Sequence, residues 1–288
     1  MSAGKKSKKK NPDPTGIAEI DRLATLSPCA IQDYVSGVSA YVRQQSTLAA
    51  GPKKAAQIRL SNALARSLSD ELSTRVPQLK GKLVTEERKV AGGLRTVNAD
   101  VSESHPLDGL RLAVELKPIN LAVGRALWNR FGDVRTFAVN IHLKFPFAVV
   151  GGVLVIPTYE ETGTKAAKQA EQEEEVAAEQ GGETDTAAPL ELSETAEPEP
   201  EAPAPPETPT TGRKSTVHLI ERAIARLIRA GGRHSEAEAH HLLEGIAVVV
   251  YNPDTGEIES ELPKPGSGLR WSEFVDALVS SYSARFED

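Results

Sequence analysis

Residues 161–212 restrict the fold of this chain more than any other stretch. They hold 14 acidic residues against two lysines, with seven prolines and no aromatic side chain, and Val176, Leu190 and Leu192 are their only strong apolar residues. So little apolar surface cannot offset the entropy lost on ordering the backbone. The segment is therefore read as a disordered acidic insertion. Residues 1–14, with five lysines and no apolar run, are read as a disordered basic tail. Folding falls to residues 15–160 and 213–288.

The insertion also hides the charge of what remains. The formal net charge is −6, and subtracting the −12 of residues 161–212 leaves +6 for the rest. A mildly basic folded part suits a phosphate-bearing partner. Cys29 is the only cysteine, which excludes an intramolecular disulfide and a cysteine-based zinc site. No apolar run reaches the roughly 18 residues of a membrane span, and no apolar segment follows the N-terminal lysines as a secretory signal requires. A cytoplasmic protein without membrane attachment is expected.

Ile31, Tyr34, Val35, Val38, Tyr41 and Val42 recur at helical spacing, and Leu60, Leu64, Leu68 and Leu72 form a second stripe, so two amphipathic helices are expected. The stretch from Leu94 to Pro118 reads as two strands about the turn "HPLDG". A helix "NLAVGRALWNRF" follows, with Asn120 as its N-cap, and then strands in "TFAVNIHLKF" and "FAVVGGVLVIP". Beyond the insertion come a helix carrying Val217, Ile220, Ala223, Ile224, Leu227 and Ile228, the strand "IAVVV", and a last helix with Trp271, Phe274, Val275, Leu278 and Tyr282. An unbroken apolar strand requires cover on both faces, as inside a sheet. Residues 213–288 have too few strands to supply it, so they are expected to complete the same domain as residues 15–160; two domains joined by a linker is the alternative.

Chemistry concentrates between Asn98 and Lys117. Side chains alternate along a strand, which puts Arg111, Ala113, Glu115 and Lys117 on one face and Leu110, Leu112, Val114 and Leu116 on the other. On the preceding strand Val97, Ala99 and Val101 take the core face and Thr96, Asn98, Asp100 and Ser102 turn outward. With "PLDG" as the turn, facing residues have numbers summing to 215, and Asp100 stands opposite Glu115. A two-residue slip, which also keeps core facing core, sets Asp100 opposite Lys117. Directly opposed residues have Cβ atoms about 5 Å apart, and two carboxylates there repel unless a cation lies between them. Hard oxygen ligands at that separation suit Mg²⁺. Lys117 is placed to orient a water or to stabilise charge on a phosphate. The competing explanation is a solvated sheet face with an ion pair.

These residues resemble the PD-(D/E)XK nucleases of the restriction-endonuclease-like fold, over residues of about 55–157, with the strand at 246–251 as a candidate extension. In that family an acid on one strand and a Glu-x-Lys on the next hold the metal and act on phosphodiesters. The resemblance implies an α/β fold with a mixed central sheet flanked by helices. It also implies a metal-dependent DNA endonuclease with Asp100, Glu115 and Lys117 as catalytic residues, of which Asp100 and Glu115 bind Mg²⁺, with Mn²⁺ as substitute. A homodimer is implied by the resemblance alone. Ala99 stands where the family has proline, and "NLAVGRALWNR" lacks the Gln-x-x-x-Tyr of one branch. Asp108 is a rival first acid, and Glu86 and Glu87 are candidate extra ligands, with exposed charge as their alternative. Arg222, Arg226 and Arg229 on one helix, and Arg125 and Arg130 on another beside Trp128, are candidate DNA contacts. A solvated basic face is the alternative there, and a non-catalytic nucleic-acid-binding or scaffold protein that keeps the nuclease fold is the alternative to the enzyme. His240 and His241, beside Glu236 and Glu238, are read as surface histidines, because adjacent helical residues point about 100° apart.

Overall fold

The computed structural model describes residues 15–162 and 212–287. The basic tail and nearly all of the acidic insertion lie outside the described residues. Three helices open the chain: α1 (Ala18–Leu23), α2 (Ile31–Gln44) and α3 (Ala50–Arg75). Next come β1 (Arg88–Ala91) and β2 (Thr96–Ala99), which form a two-stranded ribbon, then β3 (Val101–His105), β4 (Gly109–Pro118), α4 (Val123–Lys144) and β5 (Val149–Pro157). A second ribbon, β6 (Tyr159–Thr162) with β7 (Gly212–Ser215), leads into α5 (Val217–Leu227), β8 (Gly245–Asn252), β9 (Glu257–Ile258) and α6 (Trp271–Phe286).

The fold is α/β, with a mixed five-stranded sheet flanked by helices. Strand order is β3-β4-β5-β8-β9; β4, β5 and β8 are parallel, and the two edge strands run antiparallel to their neighbours. One face packs against α1, α2, α3 and α6 through residues such as Leu64, Leu68, Phe274 and Leu278. The other packs against α4, α5 and the β1–β2 ribbon through Val97, Val134, Phe137 and Leu227. Interior strands covered on both faces should be apolar throughout. β5 is buried at every residue, and β8 at all but its last. Because β8 lies between β5 and β9, residues 212–287 supply an interior strand of the sheet that the earlier residues begin.

A buried ionic cluster joins the two parts. Glu244 precedes β8, and its carboxylate receives Arg233 at 2.8 Å, Arg285 at 2.8 Å, His142 at 3.3 Å and the Val150 N–H at 2.7 Å. Burial alone would raise this carboxyl, but the His142 hydrogen bond and charge, the Val150 N–H and Arg285 outweigh burial and hold it below the usual carboxylate range.

Four expectations from the sequence are corrected. "TFAVNIHLK" is not a strand: Val134, Phe137, Ala138 and Ile141 recur at helical spacing on the buried side of α4, which runs on to Lys144. The N-cap of α4 is Ala122, in the left-handed region, and not Asn120; the Val123 N–H is instead accepted by Glu160 Oε2 at 2.6 Å. The strand before the "HPLDG" turn is two strands, broken at Asp100, so that Ala99 and Val101 enter opposite cores. Finally, β3 and β4 pair with residue numbers summing to 215 from Val101↔Val114 to Glu103↔Leu112, after which a bulge shifts the register. The extra residue restores Leu110 to the side of Ala113 and turns Arg111 the other way, over the Phe286 ring of α6 at 5.0 Å.

Candidate active site

The break at Asp100 places the first carboxylate. β2 leaves the sheet to pair with β1, so the edge of β4 beyond Val114 has no strand beside it. A buried backbone N–H left this way requires another acceptor. Asp100 provides it: its own N–H bonds the Val114 carbonyl at 3.1 Å, and its Oδ2 accepts the Leu116 N–H at 2.6 Å. The Asp100 carboxylate is thereby fixed beside the residues that flank Leu116, which are Glu115 and Lys117.

Glu115 is held from the other edge. It faces Gly152 in the parallel β4–β5 ladder. A Cβ at Gly152 would collide with Val134, so the glycine is what allows α4 to lie close over this part of the sheet. The result is that Glu115 is only 9% exposed, which does not fit the competing explanation of a solvated sheet face. Lys117 Nζ lies 2.5 Å from Glu115 Oε1. Burial pushes the Glu115 carboxyl up; the Lys117 charge opposes this and the Asp100 charge adds to it, leaving the group at about 7. Asp100 is also raised, by burial and by the Glu87 charge, against the Leu116 N–H and Lys117, which lower it.

Asp100, Glu115 and Lys117 meet in a cleft of about 670 Å³. Arg95, Thr96 and Asn98 of the β1–β2 ribbon form one wall, and Asp133 and Phe137 of α4 contribute to the lining. Glu87 also lines it and accepts a hydrogen bond from Asn98 Nδ2 at 2.5 Å, while Glu86 lines a separate hollow with Arg59 and Arg66. Among the described residues, no group of three or more His, Cys, Asp and Glu side chains is disposed to hold a metal ion.

Asp108 lies away from this site. It is seven residues before Glu115, roughly 20 Å at the ~3.3 Å rise of a strand, and it is paired with Arg111 and His105. A larger cavity, of about 840 Å³, lies at that end, but Asp108 and Arg111 there neutralise each other and Arg285 is engaged by Glu244. The smaller cleft, where two raised carboxylates meet, is the stronger candidate.

The arginines divide. Arg130 pairs at 3.1 Å with Asp133, which lines the cleft, and Arg125 is exposed on the first turns of α4. Arg226 lies over the Trp128 ring at 4.6 Å, so the row formed with exposed Arg222 and Arg229 runs alongside α4, outside the cleft lining. His240 is exposed and gives its backbone carbonyl to His142. Asp133 and Arg95 were not singled out in the sequence. Asp133 becomes visible only once the following residues are read as helix, which sets it one turn before Phe137. No protein-family model, curated protein or solved structure matches this chain.

Proposed function

We propose that this protein is a divalent-cation-dependent endonuclease that hydrolyses DNA phosphodiesters on a restriction-endonuclease-like core. One observation carries the reading: Asp100 and Glu115, two raised carboxylates of like charge, converge with Lys117 in a cleft. A buried carboxylate beside a half-buried one is unfavourable for stability alone, and a cation between them offsets both burial and repulsion. The order β3, β4, α4, β5, with the first acid before β3 and Glu-x-Lys on β4, supports the same reading.

Mg²⁺ fits this donor set. It binds through one or two protein carboxylates and keeps the rest of its shell for water and substrate phosphate, which agrees with a site of two acids. Mn²⁺ serves as its substitute. A bound ion would polarise a phosphoryl oxygen and acidify a water. Asp100 and Glu115 would hold it, with Asp100 oriented by the Leu116 N–H. Lys117 sets an ammonium beside the reacting phosphate, where it stabilises negative charge as that develops. Arg125, Arg130, Arg222, Arg226 and Arg229 are proposed contacts to the DNA backbone, where they fix register without reading sequence.

The test is incubation of the purified protein with varied duplex DNA, with and without Mg²⁺ or Mn²⁺. Discrete fragments are expected only with a divalent ion, and none from Glu115→Ala or Lys117→Ala proteins that still fold. Full activity in both variants refutes the site. Wild type that retards DNA in a gel yet cuts none under any divalent ion is a binding protein instead.

A further inference from the structure

The β1–β2 ribbon has no evident part in phosphodiester chemistry, yet the fold invests in holding it still. Its tip, Gly92 to Arg95, is clamped by Asn140, a residue of α4 that is 1% exposed. The Asn140 carbonyl accepts the Gly93 N–H at 2.7 Å, and its Oδ1 accepts the N–H groups of Leu94 at 3.2 Å and Arg95 at 3.0 Å. Gly93 packs so tightly that an added Cβ would collide with Leu143. A buried residue whose side-chain and backbone oxygens together accept three N–H groups of an exposed turn fixes the position of that turn.

The two faces of the ribbon differ. Val90 and Val97 are paired across it and pack toward α4. The opposite face carries Lys89 paired with Asn98 and Ala91 paired with Thr96, and it continues directly to Asp100. Arg95, Thr96 and Asn98 line the cleft. From Asp100 to Arg95 is five residues, roughly 17 Å at ~3.3 Å per residue, comparable with the ~12 Å width of the DNA major groove, which admits a two-stranded ribbon. The side chains suit base edges: an arginine, an asparagine whose amide is oriented by Glu87, and an exposed leucine, Leu94, able to meet a thymine methyl. Neither Lys89 nor Arg95 has a side-chain partner among the described residues.

We infer that the β1–β2 ribbon is the sequence-reading element of this protein, entering the major groove of duplex DNA with Arg95, Thr96 and Asn98 as base contacts. The inference rests on the proposal that DNA occupies the cleft, and the two can fail separately. The full-length protein is mixed with a pool of duplexes carrying a randomised window. Bound DNA is recovered in Ca²⁺, cleaved DNA in Mg²⁺ or Mn²⁺, and both are sequenced for wild type, Arg95→Ala and Asn98→Ala. Both substitutions are at exposed positions, and thermal melting checks that each variant folds.

Wild type is expected to enrich particular bases at a fixed place in the bound pool, and at a fixed distance from the cut in the cleaved pool. Each variant is expected to lose discrimination at one or two of those positions by about tenfold or more, while the other positions keep theirs. Two results overturn the inference: no base preference in any wild-type pool, or folded variants that keep the wild-type preference unchanged. Preference in the bound pool without cleavage under any divalent ion sinks the nuclease proposal and leaves the ribbon's role standing.

Discussion

Replacing Glu115 with glutamine should make the protein more stable at alkaline pH while abolishing cleavage. The carboxyl ordinarily titrates at 4.5, and burial beside Asp100, against the pull of Lys117, moves it to about 7 in the folded chain. Its folded value is raised, so it binds protons more tightly folded than unfolded. Stability is then full below about 4.5 and is lost as pH climbs through about 7. At about 1.4 kcal/mol per tenfold change in proton affinity, that loss amounts to about 3 kcal/mol by pH 8. Glutamine keeps the shape and removes the charge. Its advantage over wild type should be under about 1 kcal/mol at pH 5 and about 3 kcal/mol at pH 8. For a domain of this size, 3 kcal/mol corresponds to a melting shift of about 6–12 °C.

Melting curves of wild type and Glu115→Gln at pH 5 and pH 8, each without divalent ions, measure the difference directly. Adding Mg²⁺ at pH 8 should then narrow the gap, because the ion stabilises the folded wild type and has lost a ligand in the variant. Cleavage by wild type should rise with pH through about 7, since the ion competes with the proton on Glu115. A variant no more stable than wild type at pH 8, or a gap that is the same at both pH values, refutes the argument that Glu115 is ionised against the preference of its surroundings.

Asp100→Asn should lose cleavage almost entirely and Asp108→Asn should lose little, measured as initial rates on one DNA substrate; the reverse ranking contradicts the site. Glu244→Gln should cost about 3–5 kcal/mol in urea unfolding, because Arg233 and Arg285 keep buried charges without their counterion. Its lowered carboxyl also predicts that wild type weakens in acid: the stabilising contribution is present above about 4.5 and disappears as pH falls through the lower folded value. Replacing residues 163–211 with about a dozen Gly/Ser residues should change stability by only about 1 kcal/mol, since Thr162 and Gly212 already face each other across β6–β7. Removing residues 213–288 should instead leave an insoluble protein, and a soluble 15–160 fragment that melts cooperatively would show that β8 is dispensable to the sheet.

What was legible in the sequence follows from how far each signal reaches. The helices with one apolar face, α2, α3 and α6, and the unbroken apolar strand β8, announce their surroundings through local periodicity alone. The register of β3 on β4 was legible only in part: beside the "HPLDG" turn the pairs sum to 214, and the sum of 215 holds only beyond a bulge that no local pattern marks. "TFAVNIHLK" failed because its β-branched and aromatic residues satisfy a period of 2 over a short window, while the helical period needs Val134 and the rest of α4 to appear. The burial of Glu115 was hidden for a related reason. Alternation assigns faces but not what covers them, and its cover comes from α4, which can approach only because Gly152 stands opposite. Asp100 shows the same limit most sharply. A strand running through it would have set its side chain outward on a wet face, and only the departure of β2 turns that carboxylate to the Leu116 N–H and into the cleft. The candidate residues could be picked out of the sequence because an acid on one strand and a Glu-x-Lys on the next share a face and resemble a known nuclease pattern. Their burial, and with it the raised carboxyl at Glu115, depends on contacts between residues far apart in the chain.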